Sequence, residues 1–199
     1  MEKPFSQACE NNKDAILKVL QPILEKANTV LEVGSGTGQH AVHFASAMPH
    51  LIWQCADQTE YLDGINLWLA DAGLQNTPDP IMLNVNEADH WPTQNFDAIF
   101  SANTVHIMHW KEVIKFFEGI EGLIKPSGHF CLYGPFNYNG AFTSESNQRF
   151  DQWLKNDNPG KGIRDFEALN QLAEKAGLKL VDDHTMPANN RLLHWQKVT

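Results

Sequence analysis

Leu31-Glu32-Val33-Gly34-Ser35-Gly36-Thr37-Gly38, continued by Gln39-His40-Ala41-Val42-His43-Phe44-Ala45, is the stretch that decides the fold. The run Thr29–Val33 is apolar and short, as a buried strand is. Three alternating glycines follow. Ala41, Val42, Phe44, Ala45 and Met48 then supply the apolar side of a helix. Strand, glycine turn, helix is the build of a nucleotide-type cofactor site. Without Cβ atoms, backbone N–H groups approach a ligand closely, and a helix N-terminus favours an anionic group. The spacing is G-x-G-x-G. A dinucleotide fingerprint would put its third glycine at position 39, where this chain has Gln39. The plain alternative is a tight strand–helix turn that binds nothing.

Working outward, the chain is 199 residues long with 42% hydrophobic and 20% charged residues. That fits one domain, residues 1–199, able to bury a large core. Its net charge is −9, with Lys and Arg scattered. Nucleic-acid affinity comes largely from counterion release by basic patches, so a small-molecule partner is expected and nucleic acid is not. No apolar run reaches the roughly 20 residues that cross a bilayer, and the opening MEKPFSQACENNKD lacks the apolar centre of a leader. Cys9, Cys55 and Cys131 form no C-x-x-C pair, which points to free thiols and a cytoplasmic setting. Monomer and homodimer both stay open.

The pattern along the chain predicts a helix over about Asn11–Lys26, kinked or broken at Pro22. Strand one is Thr29–Val33, and a helix runs over about Gly38–Met48. Strand two is Leu51–Ala56, ending at Asp57. A helix over about Tyr61–Ala72 is capped by Gly73. Strands three and four are Ile81–Val85 and Phe96–Ser101. A helix over about Lys111–Ile124 and a turn at Pro126-Ser127-Gly128 lead into strand five, His129–Tyr133. The stretch Asn137–Arg164 holds a short helix over about Ser144–Lys155, and Asp165 caps a helix ending at Gly177. Lys179–Thr185 and Arg191–Val198 have no helix between them and should pair antiparallel. Strands alternating with helices give an α/β fold, a parallel sheet with helices on both faces.

The glycine motif, with Glu32 two positions before Gly34 and Asp57 closing the next strand, resembles motif I of class I S-adenosylmethionine-dependent methyltransferases. That resemblance implies a seven-stranded Rossmann-like sheet of order 3-2-1-4-5-7-6, its seventh strand antiparallel. It also implies S-adenosylmethionine as cofactor and S-adenosylhomocysteine as product. Gly34, Gly36 and Gly38 would pass the methionine part, while Glu32 organises the loop. Asp57, a two-oxygen acceptor, suits ribose hydroxyls, with Gln58 beside it. Asn84 and Val85 end strand three, where the resembling enzymes read the adenine; they often carry Asp at this position, and Asn84 brings no charge. Asn103 follows strand four, where the methionine moiety is contacted.

The expected chemistry is methyl transfer to a small-molecule acceptor, in which the protein mainly aligns the reactants. His106, in Asn103-Thr104-Val105-His106, is the catalytic candidate. An imidazole there can take or position a proton, or simply pack over the cofactor. His106 with His109, and His40 with His43, have helical spacing but no carboxylate-rich partners, so no metal is expected. Strand four is followed by Ser101-Ala102-Asn103-Thr104 rather than N/D-P-P-Y/F, which argues against nucleobase methylation.

The resemblance extends further, to the family of methyltransferase-like protein 26. It is carried by Ser6–Lys13, Leu31–His40, Tyr133-Gly134-Pro135-Phe136, Gly162–Glu167 and Met186–Arg191. The N-terminal cap, residues 1–28, and the insertion 137–164 are expected to form a lid over the acceptor. Asn11, Asn12, Tyr133, Asn137, Arg164 and Arg191 are the substrate candidates. The two arginines would either hold an anionic group or tie the lid to the sheet. The rival functions are a non-catalytic S-adenosylmethionine-binding sensor or scaffold, and a nicotinamide oxidoreductase, which Gln39 disfavours.

Overall fold

Seven strands form one sheet in the order β3-β2-β1-β4-β5-β9-β8, described by a computed structural model over residues 2–198. β1 is Thr29–Val33, β2 Ile52–Asp57, β3 Ile81–Met82, β4 Phe96–Ala102 and β5 Ile124–Gly134. β8, Leu178–Met186, and β9, Asn190–Lys197, form the closing antiparallel hairpin, and β9 inserts antiparallel against β5. The remaining pairs in this sheet are parallel. This is the Rossmann-like sheet, with the expected strand order and the expected inverted strand.

Side-chain alternation splits the core into two layers. Val30, Trp53, Cys55, Phe100 and Cys131 bury with α1 (Gln7–Ile23), α2 (Gln39–Ala47) and α3 (Thr59–Ala72) on one face. Leu31, Val33, Ile99 and Phe130 bury with α4 (Trp110–Glu121) and α6 (Phe166–Lys175) on the other. Period two assigns every second residue to one face, so Glu32 shares the face of Val30 and is driven into the core, only 1% exposed.

Some expectations are corrected. α1 begins at Gln7 because Ser6 accepts the Cys9 N–H, and it runs unbroken through Pro22. A proline in the last turn leaves only one carbonyl without its helical partner, so the helix is not broken into two. β3 has two residues: after the Leu83 N–H bonds the Asp57 carbonyl, Asn84 turns the chain by accepting the Asn86 N–H. β5 starts at Ile124, and Pro126-Ser127-Gly128 is an irregularity within it rather than a turn before it, with the register slipping between Phe96 and Ala98. Asp165 stands at the N-cap position of α6 but makes no capping bond with its side chain. Two short strands that the pattern did not predict, β6 (Phe136–Asn137) and β7 (Arg164–Asp165), pair in parallel. Between them lies α5, Glu145–Asp157, capped by Ser144.

Candidate functional site

The ends of β1, β2 and β4 open on a cavity of about 460 Å³, within the size range of small-molecule sites. Gly34, Gly36, Asp57, Gln58, Asn84, Val85 and Asn103 all line it. Asp57 is its polar anchor. One carboxylate oxygen accepts the Gly36 N–H at 2.7 Å and the other accepts the Gln58 N–H at 2.7 Å. Burial raises the Asp57 pKa, and these two amides oppose the rise. Each oxygen keeps a lone pair for a further donor. Gly36 has φ +58° and nothing within 4 Å of where a Cβ would stand, so its backbone faces open space.

The other glycines serve different ends. A Cβ on Gly34 would lie 2.4 Å from Thr104 Cγ2, so Gly34 lets the β4 loop close on the turn. Gly38 does not line the cavity. With φ +88°, it opens α2, and a Cβ there would press the Ile65 backbone at 3.2 Å. Glu32 also lies outside the cavity. Its carboxyl accepts the Trp53 indole N–H at 2.9 Å, and burial pushes its pKa up to about 8, so the group is neutral at pH 7. The link from Glu32 to the turn is made by its backbone instead, which accepts the Ser35 hydroxyl. Tyr61, Ile107, Met108 and Glu112 complete the cavity wall and were not singled out from the sequence. Glu112 is held there because it caps the His109 N–H and accepts from Asn86.

A second cavity, about 520 Å³, adjoins the first at Asn103, which lines both. Asn103 is left-handed, φ +59°, and its N–H is fixed to the Tyr133 carbonyl. Here the structure brings together Asn11, Asn12, His106 and Tyr133. His106 is 5% exposed, its Nδ1 buried without a partner. Burial first, and the nearby Arg164 charge second, lower its pKa to about 4, so the imidazole is neutral. Asn147, Phe150 and Asn190 come from α5 and β9 to close the cavity. Asn189-Asn190 gave a sequence signal; Asn147 and Phe150, inside a polar helix, gave none.

Three substrate candidates lie elsewhere. Asn137 sits in β6, nearly buried, with Oδ1 unpartnered, and lines neither cavity. Arg164 donates to the carbonyls of Val105, Met108 and Gly160, tying β7 to the loop that carries His106. Arg191 pairs with Asp183 at 2.7 Å, bonds the Thr185 hydroxyl, and lies over the Tyr138 ring. Of the two roles open to the arginines, these contacts match the tie rather than the anion clamp. His40 bonds Asn12 at 2.7 Å and His43 meets Asp14 at 3.0 Å. Among the described residues no group of three side chains could hold a metal ion.

Solved structures share this fold. An O-methyltransferase family protein from Burkholderia thailandensis is 17% identical and superposes with a TM-score of 0.81, over 94% of this chain and 58% of that one. An O-methyltransferase family 2 protein from Planctomyces limnophilus, in complex with apigenin, is 16% identical with a TM-score of 0.82, over 96% and 58%. Human N-acetylserotonin methyltransferase, in complex with SAM, is 16% identical with a TM-score of 0.80, over 97% and 53%. The chain thus spans little more than half of each. The fold is that of the Rossmann-like class I methyltransferases. Within it, the chain belongs to the family described as protein of unknown function DUF938, matched over residues 3–197.

Proposed function

We propose that this protein binds S-adenosylmethionine in the first cavity and transfers its methyl group to a small molecule in the second. The observation that carries this is Asp57. Its carboxylate is preset by two backbone amides at the end of β2, beside the open backbone of Gly36. That arrangement fits a ribose diol. Asn84 and the apolar Leu83, Val85 and Ile107 offer an amide and a flat apolar surface for a base. When bound, the cofactor supplies a methyl group already activated on a sulfonium. The chain's own task is then to hold, orient and exclude water. Asn103, rigid between the cavities, sets where they meet. His106, whose neutral imidazole lines the second cavity, takes the acceptor's proton.

The N-terminal segment and residues 137–164 form the lid in this proposal, with Arg164 as its tie. The likeness to the methyltransferase-like protein 26 family belongs to the same proposal. A non-catalytic sensor is the second reading, favoured by one observation: an imidazole held near 4 is a weak base.

Calorimetry with S-adenosylhomocysteine tests the cofactor site. Binding in the micromolar range, weakened at least about tenfold by Asp57→Ala, is the expected result. Absence of binding by a folded protein refutes it. Methyl transfer from labelled donor into a metabolite extract separates enzyme from sensor.

A further inference from the structure

Two polar side chains in the wall of the first cavity are oriented by hydrogen bonds that fix what each offers a ligand. Asn84 closes the turn after β3 by accepting the Asn86 N–H at 3.1 Å. Only the oxygen of an amide can accept from a backbone N–H, so this side chain has one orientation. Its NH2 group makes no hydrogen bond among the described residues and is not among the atoms sealed from solvent. Asn84 lines the cavity, so the free group it brings there is a donor.

Glu112 has the opposite character. It stands in the first turn of α4, where Oε2 accepts the His109 N–H at 2.7 Å and Oε1 accepts the Asn86 side-chain amide at 3.1 Å. Asn86 and Glu112 both line the cavity, so the bond between them lies in its wall. Burial acts to raise the Glu112 pKa, but the His109 and Asn86 donors outweigh it and hold it below its ordinary value. The group is a carboxylate at pH 7, accepts only, and keeps a second lone pair on each oxygen. Asn86 joins the two side chains, its backbone bonded to Asn84 and its amide to Glu112. A donor and an acceptor are thus held one residue apart, beside the apolar Leu83, Val85, Ile107 and Met108.

Such a wall sorts flat heterocycles by their edges. A 6-aminopurine shows an acceptor at ring nitrogen N1 beside an amino donor. A 6-oxopurine shows the reverse, an N1–H beside a carbonyl. Against Asn84 and Glu112 that reversed edge sets donor to donor and oxygen to oxygen, and leaves four polar groups unpaired. We propose that Asn84 and Glu112 together read the 6-amino edge of the cofactor's base, Asn84 donating to the ring nitrogen and the Glu112 carboxylate accepting from the amino group. The acid that reads the base then comes from α4, while the end of β3 contributes an uncharged donor. This deepens the reading of the first cavity as the cofactor site and rests on it.

The test is calorimetry of the full chain with S-adenosylhomocysteine and S-inosylhomocysteine, which differ at this edge of the base alone. The expected result is that the adenosyl compound binds at least about twentyfold more tightly. Glu112→Gln puts an NH2 donor in place of one acceptor oxygen. It should cut that ratio at least about fivefold, in part by tightening S-inosylhomocysteine. Asn84→Asp keeps an oxygen for the Asn86 N–H, removes the donor, and should cut the ratio by a similar factor. A Glu112 that only caps α4 would weaken both ligands alike and leave the ratio unmoved. Equal binding of the two compounds by the unmodified protein overturns the inference and leaves the cofactor reading standing, as does an unchanged ratio in either folded variant. Binding of neither compound by the folded protein sinks the cofactor reading and this inference with it, so the two failures are told apart.

Discussion

Glu32→Gln is expected to stabilise the protein, and to do so increasingly as pH rises. Glu32 is 1% exposed, accepts a single indole N–H from Trp53, and has a pKa pushed up from its ordinary 4.5 to about 8 by burial. The folded value lies above the unfolded one, so the folded chain keeps a proton that the unfolded chain has released. Its full contribution is present below about pH 4.5 and is lost as pH climbs through 8, at about 1.4 kcal/mol per pH unit. At pH 7 the loss amounts to roughly 3 kcal/mol, a large share of a typical folding free energy. Gln keeps the carbonyl acceptor for Trp53 and never ionises. His40, His106 and His194 act in the opposite sense: each is lowered from 6.5 to about 4, so each subtracts stability only as pH falls below about 6.5. The diagnostic window is therefore from about pH 6.5 to 8, where the histidines are neutral in both states. Urea unfolding of both proteins, followed by tryptophan fluorescence, gives the difference directly. The gap in favour of Glu32→Gln should widen by roughly 2 kcal/mol across that window. A gap constant with pH would refute the buried, protonated carboxyl.

Three further substitutions separate binding from folding. Gly36→Ala should cost only about 1 kcal/mol for its left-handed φ, yet weaken S-adenosylhomocysteine at least about tenfold, because the added methyl enters the open side of the first cavity. Gly38→Ala should reverse that balance, losing about 2–3 kcal/mol through contact with the Ile65 backbone; urea melts and calorimetry on the pair decide it. Arg164→Ala removes three charged hydrogen bonds, two of them to the loop bearing His106 and one to Gly160, and should lower Tm by roughly 5–10 °C, measured by calorimetric scan; an unchanged Tm would return Arg164 to the substrate.

Most of the sheet was legible because its signals are local. Thr29–Val33 is apolar throughout and bounded by a glycine turn, and β1 has those bounds. The Gly73 cap holds because a left-handed residue, φ +60°, must end α3. What sequence misjudged depends on partners distant in the chain. β5 begins at Ile124 because Ile124 pairs with Phe96 across the sheet; locally, Pro126-Ser127-Gly128 looks like any turn. β3 stops at Met82 because Asn84 folds its side chain back onto Asn86, a choice available to any asparagine.

The same distinction explains the site. Residues placed by backbone or by strand-end position were legible: Gly34, Gly36, Asp57, Asn84 and Asn103 all meet in one cavity. Glu32 was not, although it belongs to the same motif. Its position in β1 puts its side chain on the α1–α2 face with Val30, and from there it reaches Trp53 rather than solvent. Motif position fixes where a backbone goes; strand parity fixes where a side chain goes, and parity here sends the acid into the core. The arginines show the converse. Arg164 sits in β7 beside the loop that carries His106, where a charge suggests an anionic ligand, but Val105, Met108 and Gly160 expose carbonyls that a helix or strand would have satisfied. A loop that crosses a site without regular structure needs donors, and one guanidinium supplies three. With both arginines so occupied, the second cavity is lined by neutral groups, asparagines prominent among them.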